Sequence, residues 1–262
     1  MALNARDIQT FNPLSRAIQY SKNPRLGSSR LQLAQQLITA IYENQHTLTI
    51  IDDAAIRKFV FATAGFLIDQ SQLNSTAEED KEAEIISVLL TAIQQHHPST
   101  ARHQRSVKHL ALAIGDTLGL DKTLLFQLGQ AAALHDIGKL GVPCALLDRR
   151  GTFQPGESEM VKQGHLLYSY YLLLAIPFLR EAAGIVAYNH GADGYTPAGI
   201  PSDLGSAPIE AQILSLADAY TALTEGRQYR KGRKDSPKAI ITRRPYKPEL
   251  LRVARLFCSK LC

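Results

Sequence analysis

The chain is poor in thiols: Cys144, Cys258 and Cys262 are its only cysteines in 262 residues, and none lies in a CxxC pair. That excludes a disulfide framework and a thiolate zinc site. Long apolar runs are missing too: no stretch of eighteen apolar residues occurs, so no transmembrane helix is expected. The first residues, Met1 to Asp7, lack the basic-then-apolar layout of a signal peptide. A cytoplasmic protein without membrane contact is therefore expected. Extended structure is scarce, since only 46–51 has a strand-like pattern, and at that length it reads equally well as a buried loop. No aromatic residues interleave with the basic ones in a way that suggests base stacking, so a nucleic-acid partner is not expected. Internal repeats and low-complexity tracts are absent.

What is present is enough apolar material for a real core: 45% of the residues are hydrophobic, and a chain of this length holds one large domain or two smaller ones. The apolar positions recur at helical spacing nearly throughout, as in 31–42 and 56–68, which predicts an all-α fold. Ser28-Ser29, Asp52-Asp53, Ser75-Thr76, Ser99-Thr100 and Asp121 stand where helix caps are expected. Pro98 follows the polar stretch Gln94-Gln95-His96-His97 and is the clearest boundary. Residues 1–97 are read as a smaller helical domain that regulates, dimerises or binds a protein partner, and 98–262 as a larger domain that carries the chemistry. The net charge of +5 is local in origin, because 227–262 contains twelve Lys and Arg against Asp235 and Glu249. Such a segment is a phosphate-attracting rim, a contact for a nucleic acid or acidic partner or, most commonly, a solvated face.

Five separated positions bring imidazoles and carboxylates onto otherwise apolar helix faces: His103, the pair His135-Asp136, His165, His190 and Asp218. His103 opens the stripe Val107, Leu110, Ile114, Leu118; His135 ends the series Leu124, Leu128, Ala131; His190 extends Leu179, Ala183, Val186; Asp218 lies among Ile213, Leu216, Ala217 and Leu223. A buried ionised Asp is costly unless a cation or several donors compensate it. Any one of these histidines, taken singly, reads most simply as a hydrogen-bonded core residue. Together they predict a buried metal site. The pair is expected inside an apolar helix, with Lys139 at i+4 from His135 and i+3 from Asp136 and hence on the same side. His46, His96, His97 and His109 are expected at the surface. The Gly-, Pro- and Asp-rich stretch 189–208 is a long loop directly after a ligand candidate and is placed at the mouth of the site.

With those residues in hand, the second half resembles the HD-GYP subgroup of the HD-domain metal-dependent phosphohydrolases. The likeness runs from about His103 to the C-terminus in four ordered blocks: His103-Gln104-Arg105-Ser106-Val107; Ala133-Leu134-His135-Asp136-Ile137-Gly138-Lys139; Lys162-Gln163-Gly164-His165; and Ile213 to Asp218 continuing through Ala222-Leu223-Thr224 to Arg227-Gln228-Tyr229-Arg230. The resemblance implies a helical HD-domain bundle that holds two iron-like divalent ions and hydrolyses cyclic di-GMP. It implies that His103, His135 and Asp218 serve one ion and His165 and His190 a second. Asp136 would bridge the two and Lys139 contact a phosphate, which makes Asp136 and Lys139 the catalytic pair. Mixed imidazole and carboxylate sites also accept manganese, nickel or zinc.

The resemblance breaks at Asn189-His190-Gly191-Ala192-Asp193-Gly194-Tyr195-Thr196-Pro197, where Asn189 replaces a histidine and the Gly-Tyr-Pro signature is altered. Asn189 is either a weaker oxygen ligand or a helix-end residue. Tyr195 would line the substrate pocket, and Asp193 either contacts substrate or only shapes the loop. Arg227 and Arg230 either bind phosphate or pair with the preceding helix C-terminus. Ser99 stands where a third-metal glutamate falls in some members, so a trinuclear centre is not expected. Two rival functions follow from the same residues: a degenerate receptor that binds a cyclic dinucleotide or a protein without turnover, and an HD phosphohydrolase of another nucleotide.

Overall fold

A computed structural model describes residues 24–43, 53–74, 78–149, 151–154, 156–189, 206–225 and 245–258. Among them regular structure is entirely helical, as the periodicity predicts. The longer elements are α1 (Pro24–Glu43), α2 (Asp53–Asn74), α3 (Glu78–His96), α4 (Pro98–Thr117) and α5 (Lys122–Leu134). After a 3-10 turn, Ile137–Gly141, come α6 (Cys144–Leu147), a π turn at Met160–Gly164, α7 (His165–Ala175), α8 (Arg180–Ala187), α9 (Ile209–Thr224) and α10 (Pro248–Phe257). None of the described helices is long and apolar enough to cross a membrane.

The α4–α5 hairpin shows how local chemistry sets these elements. Pro98 opens α4, where its missing N–H costs nothing. Gly119 ends it at φ +80°; its N–H donates to Asp116 O (3.0 Å) and that of Leu120 to Gly115 O (3.1 Å). This is a Schellman closure, which favours glycine because the left-handed residue carries no Cβ. Asp121 then caps α5 by accepting from the Leu124 N–H at 2.9 Å, as expected. Two other expected caps are displaced. Ser28 and Ser29 lie inside α1, and the residue before α4 is His97 rather than Ser99.

α4 packs against α5 and α9, α7 against α8, α2 and the 3-10 turn, and α1 against α3. One hydrophobic core runs from Leu33 and Phe59 through Leu89, Val107, Leu134 and Leu172 to Leu214 and Cys258, so residues on both sides of Pro98 share it. Pro98 itself is exposed, but the two histidines before it are not, which corrects the expectation for them. His96 and His97 are buried. The His96 ring donates from Nε2 to Val142 O (2.9 Å), while His97 meets Thr100 Oγ1 (2.7 Å) and Asp148 Oδ1 (3.2 Å). The segment after the 3-10 turn supplies Val142 and Asp148, and neither helix periodicity nor residue type announces it. His109 is exposed, as expected. His46 and the strand-like 46–51 lie outside the described residues.

Candidate metal centre

The helix carrying His135 stops earlier than the sequence suggests. α5 ends at Leu134, His135 is its C-cap, and Asp136 has φ −104° and ψ 13°. The expectation of a His-Asp pair inside a continuous α-helix is thus corrected: a 3-10 turn follows, closed by Lys139 N–H to Asp136 O at 3.1 Å. The tighter winding still superposes i and i+3. Lys139 Nζ therefore reaches Asp136 Oδ2 at 2.5 Å, on the side that simple helical spacing gave.

Gly138 explains why the chain turns here. A Cβ at this position would lie 2.0 Å from His165 O, 2.5 Å from Ser169 N and 2.7 Å from Tyr168 Cβ. Only a residue without a side chain lets the turn press onto α7. The Gly138 N–H donates to Ser169 Oγ at 2.8 Å, fixing that approach. The same contact sets His165, first residue of α7 and directly after the π turn, against the turn that carries Asp136. His165 Nε2 lies 3.4 Å from Asp136 Oδ1.

α4 and α9 complete the centre. His103 Nε2 faces Asp218 Oδ1 at 2.8 Å, and the other oxygen of Asp218 accepts from Asn189 Nδ2 at 3.1 Å. His135 Nε2 stands 3.7 Å from Asp136 Oδ2 and 3.8 Å from Asp218 Oδ1. The His103 and His135 rings meet edge to face with centroids 5.7 Å apart. His103, His135, Asp136, His165, Asn189 and Asp218 are all buried. The structure thus gathers these residues and Lys139 at one place, whereas His190, Asp193, Tyr195, Arg227 and Arg230 lie outside the described residues.

The donor set suits a divalent cation. His135 Nδ1–H donates to Ala132 O at 3.0 Å, which leaves the Nε2 lone pair pointing at the two carboxylates. That nitrogen is buried and has no hydrogen-bond partner, and burial pushes the imidazole below the usual histidine range, with His103 adding to the effect and Asp136 and Asp218 opposing it. A neutral ring with an unused lone pair is what metal binding requires. Ligand atoms of His103, His135 and Asp136 lie within 4.8 Å of one another, so one ion can touch all three. Asp136 and Asp218 are two buried carboxylates close together, an arrangement that a cation between them stabilises.

One partner in this region was not foreseen. Glu225 Oε2 lies 3.2 Å from His103 Nδ1. Its signal in the sequence is weak: it follows Asp218 by seven residues and so repeats on the same helix face.

The HD domain family matches residues 87–242. The chain is 31% identical over 169 residues to the cyclic di-GMP phosphodiesterase response regulator RpfG of Xanthomonas campestris, covering 63% of this chain and 44% of the relative. It is 30% identical over 159 residues to a cyclic di-GMP phosphodiesterase of Thermotoga maritima, covering 59% and 42%. To the 3'3'-cGAMP-specific phosphodiesterase 3 of Vibrio cholerae it is 32% identical over 148 residues, covering 56% and 32%. The matched region therefore spans less than half the length of each of these relatives. No solved structure gives a significant match. With the family match extending over more than half of its residues and the His-Asp pair at the heart of the buried centre, the chain belongs to the HD domain family.

Proposed function

We propose that this chain is a divalent-metal-dependent phosphodiesterase that hydrolyses cyclic di-GMP, with water as the nucleophile. The observation that carries this reading is the convergence of His103, His135, Asp136, His165 and Asp218 beside Lys139, from elements far apart in sequence. The substrate follows from the relatives, two of which are described as cyclic di-GMP phosphodiesterases.

In this reading His103, His135 and Asp218 would hold one ion and His165 and His190 a second, with Asp136 available to both. Iron is the first choice, with manganese, nickel or zinc as substitutes. Such ions, when bound, lower the pKa of a bound water towards about 7 and polarise phosphoryl oxygens. Lys139 supplies a compact positive charge, held by Asp136 in the structure and offered to a phosphate oxygen of the substrate. Asn189, whose amide donates to Asp218, is assigned to orienting that carboxylate rather than to the metal. Asp193, Tyr195, Arg227 and Arg230 would line the substrate pocket. Residues 1–97 would regulate, self-associate or bind a protein partner, in a protein working in the cytoplasm.

The test is turnover of cyclic di-GMP, with 3'3'-cGAMP in parallel, by protein prepared without oxygen and loaded with Fe2+ or Mn2+. The expected result is a linear dinucleotide or GMP from wild type and none from Asp136→Ala. Metal-free protein, or a variant as active as wild type, would defeat the reading. Asn189 in place of a ligand histidine favours one alternative, a receptor, which would bind the dinucleotide tightly and form no product.

A further inference from the structure

We infer that Glu225 is the positioning residue of the metal centre: it holds His103 with its proton on Nδ1, so that the Nε2 lone pair is presented to the ion. This rests on the proposal that His103 is a metal ligand. The geometry is a clasp made by one helix face. Asp218 and Glu225 are seven residues apart, which on an α-helix returns to nearly the same angular position two turns on. The two acids grip opposite nitrogens of one ring, Asp218 Oδ1 at Nε2 (2.8 Å) and Glu225 Oε2 at Nδ1 (3.2 Å).

A neutral imidazole carries a single N–H. A carboxylate can only accept, and an acid stands at each nitrogen; with a cation taking the Nε2 lone pair beside Asp218, the one proton goes to Nδ1, where Glu225 is the acceptor that holds it. His135 reaches the same state with a backbone carbonyl, Ala132 O, as acceptor. The two imidazoles assigned to the first ion are thus prepared by two different devices. The Glu225 carboxylate adds something a carbonyl lacks, a full negative charge that makes the ring a stronger donor to a cation.

Glu225 also stands where helix energetics disfavour it. It is the C-cap of α9, at the negative end of the helix dipole, and no basic residue occupies the last turn. An acid in that position works against local stability, and such departures from local rules mark functional sites. Its compensation is the His103 ring, 122 residues away in sequence.

The test compares Glu225→Ala, Glu225→Gln and Glu225→Asp in the full chain, with far-UV circular dichroism and thermal melting to establish folding. Mn2+ affinity by calorimetry should fall about 10–100-fold in Glu225→Ala, less in Glu225→Gln, which keeps an acceptor without the charge, and recover in part in Glu225→Asp. In Zn2+-loaded protein with labelled histidine, the slowly exchanging Nδ1 proton of His103 should be present in wild type and lost in Glu225→Ala. Wild-type protein that takes up no Mn2+ would overturn the metal reading and this inference with it. Metal-binding wild type with Glu225→Ala binding within twofold of it, or with the His103 Nδ1 proton unchanged, would overturn the inference alone.

Discussion

Gly138→Ala tests the packing on which the centre depends. The added Cβ would meet two backbone atoms, His165 O at 2.0 Å and Ser169 N at 2.5 Å, together with Tyr168 Cβ at 2.7 Å. None is the free end of a flexible side chain, so rotamer changes cannot relieve the clash. The 3-10 turn must back away from α7, which breaks the Gly138 N–H to Ser169 Oγ bond of 2.8 Å and draws Asp136 from His165. Overpacking costs about 1–3 kcal/mol and the lost hydrogen bond about 1 kcal/mol, so the expected destabilisation is roughly 3 kcal/mol. Against a total stability of about 5–15 kcal/mol, and at about 2–4 °C per kcal/mol, the melting temperature should fall by roughly 6–12 °C. Urea unfolding and Mn2+ calorimetry measure the two consequences, a lower midpoint and weaker metal binding. Gly184→Ala is the control: nothing lies within 4 Å of its Cβ position, so a helical alanine there should be neutral or stabilise by about 0.5–1 kcal/mol. If Gly138→Ala melted within a degree of wild type with Mn2+ affinity intact, the packing argument would fail.

Asn189→His should raise the Mn2+ stoichiometry, measured by elemental analysis, at the expense of the Asn189 to Asp218 hydrogen bond; an unchanged metal content would count against the assignment of this residue. Lys108 gives a pH prediction. Burial lowers its pKa from 10.5 to about 8, so between those values the unfolded chain binds more protons than the folded one and stability should rise with pH. Lys108→Met should be more stable than wild type at pH 7, with a gap that narrows as the pH climbs from about 8 towards 10.5; parallel urea midpoints for the two proteins across this range would refute it.

The sequence by itself determined the helical fold class, the stripe that begins at His103, and which residues were dear enough to bury to demand a shared explanation. Those properties are local, because helix periodicity and the cost of desolvating an acid or an imidazole do not depend on what packs opposite. The end of α5 at Leu134 was not legible, since the residues after it turn away only because Gly138 lies against α7. His96 and His97 looked like surface residues because their acceptors, Val142 O and Asp148, come from a segment more than forty residues on. Nor could Glu225 be assigned to His103, because the side chains meet only where α9 lies across α4. Tertiary structure alone decides how helices are juxtaposed, and a hydrogen bond between two of them depends on that placement to within tenths of an ångström.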